Sequence, residues 1–491
     1  MSPDGDGIVF YDTMSRAKRP FEPIEPGKVG MYVCGPTVYG DPHIGNFRTF
    51  IVGDIIRRWL EYRGYDIFMI INLTDIDDKT IRDSAKEGAS LKEFTDHYIG
   101  SFFRGVDLLS LRRSTTYPRA TEYIPQMIEF IEALLEKGLA YVAKDGVYFD
   151  VDKFPGYGKL SGIDVTKLKT TERMAKDEYK KEAVHDFALW KASTPDEIKR
   201  GIYYESPWGK GRPGWHIECS VMIRSLLGDT IDIHVGGEDL VFPHHENEIA
   251  QSESLTGKQF VRYWMHVRHL MVNGRSMSKS LGNYVSFDEV VSKFGVEAYR
   301  YFLLSVHYRR PLDYTEATIE IARNSAARLE NTLDLVEATF RGPDTNLDYG
   351  EEEKKLLEEV RQHVDAFEAA MDNDLDSHAA LDSLHALSGA INGYIAARCD
   401  VEPAMGANRG VLLKAYMSYR NLLDVLGLFE RRKGGEDELA AGLIKAMIDL
   451  RNRLRAEKKY ALSDEVRDTL SGLGVVLSDT GGRTTWKLKK S

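Results

Sequence analysis

KVGMYVCGPTVYGDPHIGNFRTFIVGDIIRRWLEYRGYDIFMII, residues 28–71, is the stretch that decides the fold. Residues 29–33 form a short apolar run, followed by the turn-rich Cys34-Gly35-Pro36-Thr37 and then Asp41-Pro42-His43-Ile44-Gly45-Asn46. Next, Phe47, Phe50, Ile51, Ile55 and Trp59 recur at the spacing of one helix face. Gly64 ends that helix, and the continuous apolar run 67–71 suits a strand covered on both faces of a parallel sheet. Strand, helix and strand in so short a span make a βαβ unit, the start of a Rossmann-like half.

Working outward, the pattern changes over residues 111–210. A helix through Ile124, Met127, Ile128, Ile131 and Leu135 leads into a hairpin, 139–143 and 147–151, turned by Lys144-Asp145-Gly146. The rest, to Lys210, reads as polar and loop-rich, an insertion between two halves of a nucleotide fold. The second half returns near Trp215. Residues 217–227 read as helix and 230–235 as an alternating strand. A helix starts near Pro243, and a strand over 263–267 precedes the loop from Asn273 to Asn283. Long amphipathic helices at 316–340, 351–371, 376–398 and 409–429 predict a bundle. The last unit follows the charged break 431–438, contains a basic helix and ends in 474–477, Gly481-Gly482 and Trp486. The expected α/β fold is therefore a Rossmann-like catalytic domain in two halves (1–110 and 211–313) around a connective insertion (111–210). A helix bundle (314–430) and a small C-terminal unit (431–491) complete it.

At 491 residues the chain is too long for one compact core. Its 43% hydrophobic and 29% charged composition is that of a soluble globular protein. No apolar run is long enough to cross a bilayer and the N-terminus is polar, so no membrane association and a cytoplasmic location are expected. Three cysteines, Cys34, Cys219 and Cys399, stand far apart. That argues against a disulfide scaffold and leaves thiolate chemistry or plain burial; Cys399 is expected in the bundle core. The formal charge of −11 argues against a protein that coats nucleic acid non-specifically. From Arg431 to Ser491, however, 14 Lys/Arg stand against 9 Asp/Glu. A basic tail fits a docked polyanion, and it equally fits a solvated surface helix.

Three groups of residues carry chemistry. In His43-Ile44-Gly45-Asn46, a glycine at a helix opening lets the backbone approach a phosphate, with the helix N-terminus and an imidazole supplying donors. Alone, the string also fits an ordinary helix start. In Ser276-Met277-Ser278-Lys279-Ser280-Leu281-Gly282-Asn283, a lysine among small hydroxyl residues can hold a mobile cation over a triphosphate, or be a solvated turn. Finally, Cys34, Cys219, His244 and Glu248 offer two thiolates, an imidazole and a carboxylate, with His244 and Glu248 four apart on an expected helix. Plain core packing of Cys219 and capping by His244 remain open on spacing alone.

The first two strings resemble, in order, the His-Ile-Gly-His and Lys-Met-Ser-Lys-Ser signatures of class I aminoacyl-tRNA synthetases, departing at Asn46 and Ser276. Several further strings resemble the cysteinyl-tRNA synthetase family. These are Tyr32-Val33-Cys34-Gly35-Pro36-Thr37-Val38-Tyr39, Asn72-Leu73-Thr74-Asp75-Ile76-Asp77-Asp78-Lys79 and Gly214-Trp215-His216-Ile217-Glu218-Cys219-Ser220. His234-Val235-Gly236-Gly237-Glu238-Asp239-Leu240, Pro243-His244-His245-Glu246-Asn247 and Thr484-Thr485-Trp486 extend the likeness over nearly the whole chain. The resemblance implies that Cys34, Cys219, His244 and Glu248 bind a Zn2+ that meets the substrate thiol. It implies a cysteine pocket of Gly35, Thr74, Trp215 and His234, and an ATP site of His43, Gly45, Asn46, Gly236, Asp239 and Lys279 with Mg2+. His43 and Lys279 would be catalytic, and Asp479 would contact the anticodon. The implied partners are L-cysteine, ATP and tRNA(Cys), with a monomeric enzyme expected. Two rivals are a ligase of the same lineage with an amino-sugar acceptor and an inactive RNA-binding paralogue. The first would lack the basic terminal unit, and intact His43 and Lys279 count against the second.

Overall fold

The structure, a computed structural model, describes residues 7–163, 186–277, 282–341, 349–398, 406–430, 436–472, 475–480 and 483–488. Lys279 and Cys399 lie outside these residues. The chain forms two compact units. One comprises Met1–Ala326, Asp365–Asp382 and Val425–Leu428, and the other Ala327–Val364, Ser383–Asp424 and Phe429–Ser491.

The first unit is built on a four-stranded parallel sheet in the order Val261–Val267, Ile231–Gly237, Lys28–Val33, Asp66–Ile71. The outer pair in each direction belongs to one half of the sequence, so the strand order reverses between Lys28–Val33 and Ile231–Gly237. Such a reversal leaves a crevice at the carboxyl ends of the strands. The strands are apolar because helices cover both faces. Ile231–Gly237 is buried along nearly its whole length, so its sequence does not alternate in environment as the reading of 230–235 expects.

Helix Asn46–Tyr62 is buried almost all round, and polar residues inside it need partners. Arg58 Nε donates to Asp54 Oδ2 at 2.7 Å and Arg300 Nη2 donates to the same oxygen at 2.5 Å. The Arg112 N–H donates to Asp54 Oδ1 at 2.9 Å. Arg300 also donates to the carbonyls of Leu109 and Leu426. The carboxylate thus ties this helix to helix Val296–Leu304 and to the loop at Arg112, and Arg300 carries the tie on to Leu426.

The insertion is more ordered than its sequence predicts. Ala140–Ala143 and Gly146–Phe149 form the expected hairpin, and Phe187–Ala192 and Gly211–Pro213 extend it into a four-stranded antiparallel sheet. Phe187, Ala188, Leu189 and Trp190 are all buried. A strand buried on both faces shows no alternation, which is why the stretch before Lys210 reads as loop. Likewise Leu270–Val272 and Arg275–Ser276 make a short hairpin across Asn273-Gly274, whose second strand falls inside what reads as a loop.

The bundle helices fall at Glu316–Arg341, Glu351–Asp372, Ser377–Arg398 and Arg409–Val425, close to the expected bounds. The terminal region is two helices, Glu436–Ala456 and Tyr460–Gly472, and an antiparallel hairpin, Val475–Thr480 with Arg483–Leu488. Ile444, Ile448, Leu470 and Val475 form its small core, with Trp486 packed against them. Among the described residues no helix is long and apolar enough to cross a membrane.

Candidate active site

At the strand-order reversal, a cavity of about 530 Å³ opens above Cys34 and Gly237, which follow or end the two central strands. Gly35, Thr74, Trp215, Cys219, Asp239 and His244 line it together with His43, Gly45 and Asn46. Gly35, Thr74 and Trp215 of the expected cysteine pocket and His43, Gly45, Asn46 and Asp239 of the expected ATP site therefore meet in one cavity. His234, Gly236 and Glu248 stand behind its wall.

The two halves of the sheet each bring a thiol. Cys34 follows its strand directly, and Cys219 lies in the first turn of helix Ile217–Leu226; both are buried. His244 lies in a π-helical turn, Val241–His245, that kinks at Phe242 and runs directly into helix Glu246–Thr256, so it sits at the start of the expected helix. The turn still carries its ring to Glu248, with Nε2 3.0 Å from Oε1. Ligand atoms of Cys34, Cys219, His244 and Glu248 all lie within 4.8 Å of one another, and so do those of Cys34, His234, His245 and Glu248. Sulfur, imidazole and carboxylate donors at this spacing suit a tetrahedral metal such as zinc. Around the Cys34, Cys219, His244 and Glu248 set, His216 Nδ1 is 3.0 Å from His244 Nδ1, the Trp215 ring stacks on His244 at 4.3 Å, and His234 Nε2 is 2.9 Å from Glu248 Oε2. Second contacts of this kind fix ring orientation and ligand basicity.

Burial and charge set the protonation of the cluster. Burial pushes the Cys34 thiol well above the ordinary range. Burial also pushes Cys219 up, but the hydrogen bond from Cys34 and the charge of His244 outweigh it and bring it down to about 6. Burial likewise opposes ionisation of Glu248, yet His234 and His244 draw it down to about 2. Against burial, Glu248 and Cys219 hold His244 up to about 10. His245 is kept neutral by burial and by the histidines around it. Its Nδ1 is 2.7 Å from His266 Nε2, and His266 Nδ1 is 2.7 Å from Thr13 Oγ1.

On the nucleotide side, the Gly45 N–H donates to His43 Nδ1 at 3.1 Å, so the neutral ring carries its proton on Nε2. Asn46, in place of the signature's last histidine, opens helix Asn46–Tyr62 and accepts the His43 N–H on Oδ1 at 2.9 Å. Both ends of the Lys279 loop pack here. The Met277 Sδ accepts from the Val285 N–H at 3.5 Å, and the Ile44 N–H donates to the Val285 carbonyl at 3.3 Å. Asp479 pairs in register with Thr484 in the C-terminal hairpin.

A profile of the tRNA synthetases class I (C) catalytic domain matches residues 20–324, and the DALR domain matches 366–430. The cysteine–tRNA ligase of Methanosarcina acetivorans is 47% identical over 96% of this chain and 97% of its own length. That of Thermococcus onnurineus is 45% identical over 98% and 99%. The chain belongs to the cysteine–tRNA ligase family. Solved structures agree on the fold at low identity. Mycobacterium tuberculosis methionyl-tRNA synthetase bound by methionyl-adenylate superposes with a TM-score of 0.60, at 15% identity over 81% of this chain and 92% of its own. A leucyl-tRNA synthetase–tRNA complex from Agrobacterium radiobacter does so at 0.60, with 12% identity over 83% and 85%.

The sequence does not by itself single out His216, His245, His266, Asn72 and Glu218, all of which are buried in or against the site. Four of the five lie inside or beside quoted strings. His266 carried no local signal, because its position depends on strand Val261–Val267 pairing with Gly236 across the sheet.

Proposed function

We propose that the chain is a cysteine–tRNA ligase that activates L-cysteine with ATP and transfers it to the terminal ribose of tRNA(Cys). The observation that carries this reading is the buried Cys34, Cys219, His244 and Glu248 set, opening on the cavity that the nucleotide turn also lines. A same-length match to cysteine–tRNA ligases, including the DALR domain, favours tRNA over an amino-sugar acceptor.

Cys34, Cys219, His244 and Glu248 would hold a zinc ion, which when bound supplies a site that prefers a soft thiolate to a hydroxyl. Glu248, already engaged by His234, is the ligand best placed to loosen for a substrate. Gly35, Thr74 and Trp215 frame the amino acid, with His234 supporting the floor. His43 presents its Nε2–H to ATP phosphate oxygens, beside the helix N-terminus at Gly45 and Asn46. Gly236 and Asp239 complete the nucleotide side, and Lys279 stabilises charge on the phosphates with Mg2+ as helper. The cysteine carboxylate attacks the α-phosphate, releasing pyrophosphate and giving cysteinyl-adenylate; the tRNA ribose hydroxyl then displaces AMP. The C-terminal unit, 431–491, reads the anticodon, with Asp479 a contact. The halves 1–110 and 211–313 are the catalytic domain, 111–210 the connective insertion and 314–430 the stem.

Charging of total tRNA with labelled cysteine tests the function; labelling of no tRNA, or of an amino sugar instead, contradicts it. The metal is tested by cobalt substitution. The spectrum should gain sulfur-to-metal charge-transfer intensity with cysteine and ignore serine, and Cys34→Ser or Cys219→Ser should lose the metal. A fully active metal-free protein would contradict the site.

A further inference from the structure

Behind the cavity lies a carboxyl group that no step above uses. Glu218 sits beside Cys219 in helix Ile217–Leu226 and is 1% exposed. Its Oε2 accepts from Thr74 Oγ1 at 2.9 Å, and its Oε1 has no hydrogen-bond partner among the described residues. A half-satisfied buried carboxyl lowers stability, and an apolar side chain of similar volume would fill the space without that penalty. Fold stability is therefore a poor reason for a glutamate here.

Thr74 shows what the carboxyl achieves. A hydroxyl has one proton to donate and two lone pairs to offer. The proton goes to Glu218, and one lone pair accepts from Asn72 Nδ2 at 3.2 Å. Asn72 is itself fixed, because its Oδ1 accepts the Gly35 N–H at 2.7 Å. What remains to Thr74, which lines the cavity, is a single acceptor lone pair backed by a carboxyl. That combination favours a cationic donor and disfavours a carboxylate. In cysteine the cation is the α-ammonium, on the carbon next to the one bearing the thiol.

We propose that Glu218 is a positioning residue that holds the Thr74 hydroxyl as a pure acceptor and so selects the α-ammonium of the amino acid. The inference rests on the cysteine-activating reading above. It separates recognition into two parts, with the thiol read at the Cys34 and Cys219 side and the ammonium read at Thr74.

Two partial substrates divide these parts. Cysteamine keeps the thiol and the ammonium; 3-mercaptopropionate keeps the thiol and the carboxylate. Binding of each to the full-length protein is measured by calorimetry, alongside the KM for cysteine and for ATP in pyrophosphate exchange. For Glu218→Leu the cysteine KM and the cysteamine Kd should rise about 10- to 100-fold, as for one hydrogen bond to a charged group. The 3-mercaptopropionate Kd and the ATP KM should stay within about twofold, and the melting temperature should not fall. Glu218→Gln, which keeps an acceptor oxygen, should restore cysteamine binding to within about threefold. Should Glu218→Leu fail to fold, Thr74→Val must give the same ligand split. A uniform loss over both thiols, a lowered melting temperature with the split absent, or unchanged cysteamine binding overturns the proposal. No cysteine-dependent exchange in the unaltered chain would instead sink the functional reading, and the two thiol titrations would still decide the role of Glu218.

Discussion

Gly35 shows how little room the amino-acid side of the cavity has. A Cβ there would overlap the carbonyl oxygen of Asn72, whose side chain also accepts the Gly35 N–H. Gly35→Ala should therefore abolish cysteine-dependent exchange by moving backbone, and retained activity would show that the turn is softer than its contacts imply. On the proposed role, Lys279→Ala removes a charge contact to the ATP phosphates from a loop whose described ends, Met277 and Val285, pack beside Ile44. A loss of about 3 kcal/mol of transition-state stabilisation, at least 100-fold in exchange rate, is expected with an unchanged melting temperature; near-normal exchange removes Lys279 from the catalytic residues. At this scale the sequence was informative where function had left a contiguous string, as around Cys34 and His43. It was silent where a role depends on burial and on neighbours far along the chain, as with His266 and with Glu218 behind Thr74.

Among the elements, helix Asn46–Tyr62 was legible from its apolar spacing, but the charge it buries was not. Asp54 reaches Arg300 across 246 residues of chain, and no local pattern announces such a partner. Replacing it by asparagine leaves Arg58 and Arg300 buried without their counter-charge, a change that costs about 3–5 kcal/mol. Asp54→Asn should lower the unfolding free energy by that amount in denaturant titrations, and a change under about 1 kcal/mol would contradict the role. Burial opposes ionisation of Asp54, but Arg58 and Arg300 overcome it and hold the carboxyl below its ordinary value. A depressed folded pKa adds stability above the unfolded value of about 3.9, and that stability is lost as pH falls through the folded value. The parent should accordingly lose stability from about pH 5 to pH 3, with Asp54→Asn showing less of that loss; equal acid sensitivity of the two would count against it. The antiparallel sheet illustrates the opposite limit, since residues 187–190 of strand Phe187–Ala192 are all buried and carry no period to read.

For the whole molecule, the Rossmann-like core and the helical region that follows it were legible in the sequence. In the terminal unit the sequence showed the basic charge and one helix; the second helix and the hairpin share a core too small to leave a strong pattern. Because that unit contains none of the residues assigned to ATP or cysteine, truncation after Phe429 should spare pyrophosphate exchange and raise the KM for tRNA. The parent's tRNA affinity should also fall more steeply with salt than the truncated chain's. Full charging by the truncated protein would contradict the assignment. The central claim is that this cavity activates cysteine and excludes serine without a second site. Packing alone separates such similar side chains by only about 1–3 kcal/mol. ATP–pyrophosphate exchange by the purified chain, run with cysteine and with serine, tests it most directly. Exchange with cysteine and none above background with saturating serine is the predicted result; exchange with both, or with neither, contradicts the account.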